Sequence, residues 1–238
     1  MKRILKLPIN QAVSNQLAVK QQNIDTGTVQ PDFKLSFNQR TEIKVKLLKS
    51  QKYLCCYCEC EIDDSNYHIE HFYEQHDKPE MTYNYLNNLI LSCEGDRERR
   101  TNPESDSERA ERLENISCGH KKTKSYHADI EIDYSLLLNP MNINSNLLTY
   151  LNGIVDKSII CNRQEENQVI YSKQRLRIDS IRLNNLRISK IDLINRELKK
   201  LDLQEQKKFI KDLLDENQEK LPAFYSTIKN NFEFIVNE

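Results

Sequence analysis

Side chains suited to binding metals and moving protons recur in a fixed order along one stretch of this chain. Cys55-Cys56-Tyr57-Cys58 is followed by His68-Ile69-Glu70-His71, by Asn88-Leu89-Ile90-Leu91-Ser92-Cys93 and by Cys118-Gly119-His120-Lys121-Lys122-Thr123. Cys55 and Cys58 have the two-residue spacing at which a tight turn presents two sulfurs to one tetrahedral ion. Cys93 and Cys118 supply the second pair, separated by a charged insertion over 94–117. With zinc–sulfur bonds near 2.3 Å, tetrahedral binding holds two sulfurs about 3.7 Å apart, so a shared zinc would tie off the base of that insertion. Four thiolates leave no open position for water, which makes the expected Zn²⁺ structural. Cys56 and Cys60 are competing ligands by position; they and Cys161 read as packing cysteines.

Between the two thiol pairs lies a different chemistry. A histidine titrates near neutrality and suits proton abstraction from water, while a carboxylate suits a hard cation that polarises a phosphate. An isolated Glu-His pair is most often a surface pair; the flanking cysteines are what single out Glu70-His71. His68 and His76 read as solvent or loop histidines, although His68 could share a strand with Glu70. His127 lies beyond the motif and is given no role.

The remaining sequence must position these groups. Of 238 residues, 38% are apolar and 30% charged, and no apolar run approaches the roughly 20 residues a bilayer requires. Lys6 and Pro8 interrupt the apolar start before it reaches signal-peptide length, so a cytoplasmic location is expected. In a reducing compartment, seven cysteines point to metal rather than disulfides. A net charge of -1 gives no global attraction to nucleic acid. Residues 1–35 read as an extended N-terminal arm, and a helix is expected after Ser36 or Asn38. Short strands are expected at Glu61-Ile62 and over 67–72, with a helix near 85–91. The insertion reads as a solvated loop or short exposed helix, or as a DNA-contacting segment if Arg97, Arg99, Arg100, Arg109 and Arg112 face phosphates. Asn152-Gly153 between apolar runs predicts a tight hairpin, and the 3.6-residue period dominates beyond Tyr171.

Taken together, Cys-x-x-Cys, Ile-Glu-His-Phe at 69–72, Asn-Leu-Ile-Leu-Ser-Cys at 88–93 and Cys-Gly-His-Lys-Lys-Thr at 118–123 resemble the HNH endonucleases of ββα-metal fold. Within them the chain is most similar to the HNH subunits of retron-associated and Septu-type anti-phage systems. The resemblance implies an α+β fold: a zinc-knuckle ββα-metal core over 36–135 and a mainly helical C-terminal region over 136–238. It implies His71 as general base, Glu70 and His120 as ligands of a catalytic Mg²⁺ or Mn²⁺, Asn88 as a positioning residue and Lys122 as a nucleic-acid contact. Gly119 stands where many relatives place the third motif residue, and His120 is expected to serve after a one-residue shift. The implied activity is phosphodiester hydrolysis, of DNA first and of RNA as a chemical alternative. The implied partners are an ABC or SMC-like ATPase, and a retron reverse transcriptase with its RNA–DNA product. A hydrolytically silent zinc-stabilised adaptor is the competing expectation.

Overall fold

The computed structural model describes residues 1–95, 105–123, 127–128, 130–144 and 146–237. Asn10 caps the first helix, α1 (Gln11–Asp25), by accepting from the Val13 amide, and Val13, Leu17 and Ile24 turn inward along one stripe. Met1 and Ile4 are also buried, and the Ile4 amide donates to the Pro140 carbonyl. The expectation of an extended arm therefore gives way to a packed helix. Its polar Gln/Asn surface hid an apolar stripe of only three residues. Helix α2 (Phe37–Ser50) starts at a Ser36–Gln39 capping box and buries Ile43, Leu47 and Leu48. It delivers the chain directly to Cys55.

Two antiparallel strands follow, β1 (Tyr67–His71) and β2 (Leu89–Cys93), in the register Tyr67↔Cys93, Ile69↔Leu91 and His71↔Leu89. Residues 85–91, expected as a helix, instead lead into β2. A short apolar run such as Leu89-Ile90-Leu91 does not distinguish a buried strand from a buried helix, and pairing with β1 decides the matter here. The expected strand at Glu61-Ile62 is reduced to one bridge between Leu54 and Glu61. Within the insertion, α3 (Asp106–Asn115) is a charged helix. Arg97, Arg99, Arg100 and the side chain of Arg112 lie outside the described residues. A short helix, α4 (Cys118–Lys122), then returns the chain to β2.

The C-terminal half begins with a second sheet, β3 (Leu148–Leu151) and β4 (Ile154–Lys157). Asn152 and Gly153 have φ of 49° and 80°, the left-handed pair that a two-residue turn between right-twisted strands requires. Helices α5 (Arg163–Leu176), α6 (Ile181–Leu198), α7 (Leu203–Leu214), α8 (Tyr225–Phe232) and α9 (Phe234–Asn237) complete the chain. Asn162, Ser180 and Asp202 cap α5, α6 and α7 through their side chains. Among the described residues, the structure is thus mixed α/β with two small antiparallel sheets. One apolar cluster joins Met1, α1, α2, both strands of each sheet, α5 and Phe224. A smaller one ties α6, α7 and α8 through Ile194, Ile210 and Ile228. Among the described residues, no helix is long and apolar enough to cross a membrane.

Candidate metal centres

The loop after α2, the end of β2 and the start of α4 meet at four sulfurs. Cys55, Cys58, Cys93 and Cys118 are buried, and their sulfurs all lie within 4.8 Å of one another. The Cys58 and Cys93 sulfurs are 3.7 Å apart, the separation that two thiolates adopt on one tetrahedral zinc. Backbone amides already point at them: Cys93 N–H donates to Cys55 Sγ at 3.3 Å and Cys60 N–H to Cys58 Sγ at 3.5 Å. Glu59 turns this knuckle with φ of 64°. The neighbouring sulfurs, Cys118 and Cys55 foremost, push the Cys58 and Cys93 thiols well above the usual range. Sulfurs this close cannot all ionise until a cation offsets their charge, so the donor set fits a divalent soft metal such as Zn²⁺. Cys56 and Cys60 lie outside the set, and Cys161 donates instead to the Leu147 carbonyl at 3.3 Å. The base of the insertion closes beside this centre, where Ser117 N–H donates to the Gly95 carbonyl at 3.1 Å.

On β1, residues alternate between faces. His68 and Glu70 share one face, and α4 brings His120 to it. Glu70 Oε2 accepts from His68 Nε2 at 3.2 Å, and the His68 and His120 rings stack with centroids 4.1 Å apart. Glu94, the residue after β2, sets its carboxylate 2.9 Å from His120 Nε2 and 3.5 Å from His68 Nδ1. One ligand atom from each of His68, Glu94 and His120 falls within 4.8 Å of the others. Glu70 and His120 therefore both touch His68. The acidic residue in the three-residue set is Glu94.

Glu70 is 7% exposed and Lys122 only 1%, and they form an ion pair. Burial works against the Glu70 carboxylate, but Lys122 and His68 outweigh it and hold its carboxyl down at about 2. The Lys122 ammonium also donates to the carbonyls of His71 and Phe72, the latter at 3.1 Å. Its expected role as a nucleic-acid contact conflicts with this placement, because a side chain so enclosed presents no donor to a phosphate. Gly119 explains how His68 and Glu70 fit under α4. A Cβ at that position would come within 2.8 Å of His68 Nε2 and closer still to Glu70 Oε2.

His71 faces the other side of β1. Its Nε2 lies 3.0 Å from the Thr82 carbonyl, and Phe33 meets its ring edge-on with centroids 4.4 Å apart. Burial pushes the imidazole down to about 4, so it is neutral at pH 7. A neutral ring donating from Nε2 keeps its lone pair on Nδ1, the form a proton acceptor needs. Asn88 is fully buried: its Oδ1 accepts from Tyr73 N–H at 2.6 Å, and its Nδ2 donates to Tyr73 and Met81 carbonyls. It pins both ends of the loop whose Thr82 carbonyl holds His71.

Sequence reasoning passed over His68 and Glu94. The period of two on β1 already placed His68 beside Glu70, and Glu94 directly follows Cys93. Comparison with protein-family models and with curated proteins finds no match for the chain.

Proposed function

We propose that the chain is a metal-dependent endonuclease of the HNH type that hydrolyses phosphodiester bonds, with DNA as its substrate. The observation that supports this reading most is the placement of His71. At the end of β1, next to the anchored Glu70, a neutral imidazole is fixed through Nε2 by a backbone carbonyl and keeps Nδ1 as the proton-accepting atom. In this reading His71 takes the proton from the attacking water, and Asn88 positions it by fixing the loop that carries Thr82. A divalent ion with His120 among its ligands, Mn²⁺ in preference to Mg²⁺ because the donor is nitrogen, would polarise the phosphate and stabilise the leaving oxygen; because His71 faces away from His120 across β1, the substrate would have to wrap the end of that strand to meet both. Zn²⁺ on the tetrathiolate would tie β2 to α4 beside these residues.

Incubating supercoiled DNA with the zinc-loaded protein and Mn²⁺ or Mg²⁺ tests the proposal. His71→Ala should lower the nicking rate by about 10²–10⁴-fold, the usual contribution of a general base, with zinc content unchanged. Equal nicking by both proteins rejects the assignment of His71.

One observation favours a second reading. Lys122 neutralises Glu70, which lowers the negative charge available to a hard cation. A zinc-stabilised adaptor without hydrolysis follows from that, and DNA binding with no nicking in either metal would select it. With a net charge of -1, targeting falls to a partner, and an ATPase subunit of an anti-phage complex is the one proposed. Leu186 and Leu193, exposed and seven residues apart on α6, offer such a partner an apolar stripe.

A further inference from the structure

His68, Glu94 and His120 come from three separate elements: β1, the residue after β2, and α4. The imidazole nitrogens facing Glu94 are His68 Nδ1 and His120 Nε2, at 3.5 Å and 2.9 Å from its two carboxylate oxygens. Ligand atoms on one ion, with bonds near 2.1 Å, stand about 3.0–3.4 Å apart, so small side-chain rotations suffice for all three to bind. Among the described residues, buried His68 Nδ1 makes no hydrogen bond, while Nε2 of the same ring is engaged by Glu70 Oε2 at 3.2 Å. A ring whose Nε2–H is donated to a carboxylate keeps a bare lone pair at Nδ1. This carboxylate–histidine relay is how proteins fix the tautomer and orientation of a metal-binding imidazole. Lys122 completes the relay by holding the far oxygen of Glu70, and Gly119 leaves the space in which Glu70 and His68 meet.

We infer that His68 Nδ1, Glu94 and His120 Nε2 bind a first-row divalent transition ion, and that Glu70 acts on it through His68 rather than as a ligand. Two imidazoles and one carboxylate suit Mn²⁺, Fe²⁺ or Zn²⁺, whereas Mg²⁺ and Ca²⁺ select oxygen donors. Three protein ligands leave positions open for water or a phosphate oxygen. The site is separate from the tetrathiolate, whose ligands are all sulfur. It stands on its own donors: an ion bound here without DNA cleavage leaves this inference intact and removes the nuclease reading.

The test uses the full-length protein brought to one zinc per chain by metal analysis, so that only the sulfur site is filled, and Mn²⁺ alone as probe, followed by electron paramagnetic resonance. Expected are one bound Mn²⁺ per chain in addition to zinc, nitrogen couplings from imidazole in the bound spectrum, and no displacement by excess Mg²⁺. His68→Ala and Glu94→Gln should each weaken Mn²⁺ binding at least tenfold while zinc stays at one per chain. Glu94→Gln preserves size at a half-exposed position, so it cannot act through unfolding in the way a core substitution can. Glu70→Gln should weaken binding about 10–100-fold, as loss of a histidine's carboxylate partner does elsewhere. The inference is overturned if wild type binds no Mn²⁺, if the bound ion shows no imidazole nitrogen, if Mg²⁺ displaces it readily, or if Glu94→Gln binds like wild type.

Discussion

Lys122→Met isolates the ion pair that organises the imidazole–carboxylate face. Lys122 and Glu70 are 1% and 7% exposed, so removing the ammonium strands a buried carboxylate whose remaining side-chain partner is His68. Two routes give the size of the loss. Breaking one side of a buried pair costs about 3–5 kcal/mol in other proteins. Independently, the fold lowers the Glu70 carboxyl from 4.5 to about 2, a shift worth about 3 kcal/mol at about 1.4 kcal/mol per unit. Because the folded value is the depressed one, this contribution is present above pH 4.5 and fades as pH falls toward 2. Urea unfolding at pH 7 with free zinc held constant should therefore show Lys122→Met about 3–5 kcal/mol less stable than wild type. Adding Glu70→Gln removes the stranded charge. What persists in the double variant is the loss of donors to the His71 and Phe72 carbonyls, about 1 kcal/mol each. The double variant should thus be more stable than the single one. A single-variant loss under about 1 kcal/mol, or a double variant no better than the single, refutes the reasoning.

Further expectations follow from the same structure. Cys93→Ser should abolish tight zinc binding, measured as metal content after gel filtration, and should lower the melting temperature, because an ion held by the four sulfurs would join β2 to α4 and the knuckle loop. Asn88→Ala removes three side-chain hydrogen bonds at a fully buried position and should cost about 2–3 kcal/mol in urea unfolding. It should also slow nicking by more than Ser226→Ala, whose hydroxyl bonds Glu59 instead. The His71 imidazole, followed by NMR, should titrate near 4 rather than 6.5. Since burial favours its neutral form, the fold should lose about 3 kcal/mol as pH falls from 6.5 through 4, and His71→Gln should lack that acid-linked loss.

The two ends of the site differed in how plainly the sequence announced them. The cluster of Cys55, Cys58, Cys93 and Cys118 was legible because Cys-x-x-Cys spacing marks one pair, although Cys56 and Cys60 competed by position, and the left-handed pair at Asn152-Gly153 made its hairpin plain. The buried strand β2 was not, because Leu89-Ile90-Leu91 satisfies either period and only pairing with β1 fixes it. Helix α1 was obscured by its polar composition, although Asn10 as cap and Val13 to Leu17 at a spacing of four were present to be read. His68 and Glu94 illustrate a deeper limit. Each is a common residue in an ordinary place, and their convergence with His120 depends on strand register and on the return of α4, which no local pattern encodes. Lys122 shows the reverse error: a lysine after a cysteine suggested phosphate contact, but Glu70 and two carbonyls claim its ammonium.

The central claim is that one short helix, α4, closes two chemically distinct metal centres, a sulfur site through Cys118 and a nitrogen–oxygen site through His120. Anomalous diffraction from a crystal holding both zinc and manganese, recorded at each absorption edge, tests it most directly. The account predicts a zinc peak among Cys55, Cys58, Cys93 and Cys118, and a manganese peak among His68, Glu94 and His120. A manganese peak bound by Glu70 away from His68, or a single peak at the sulfurs alone, would contradict it.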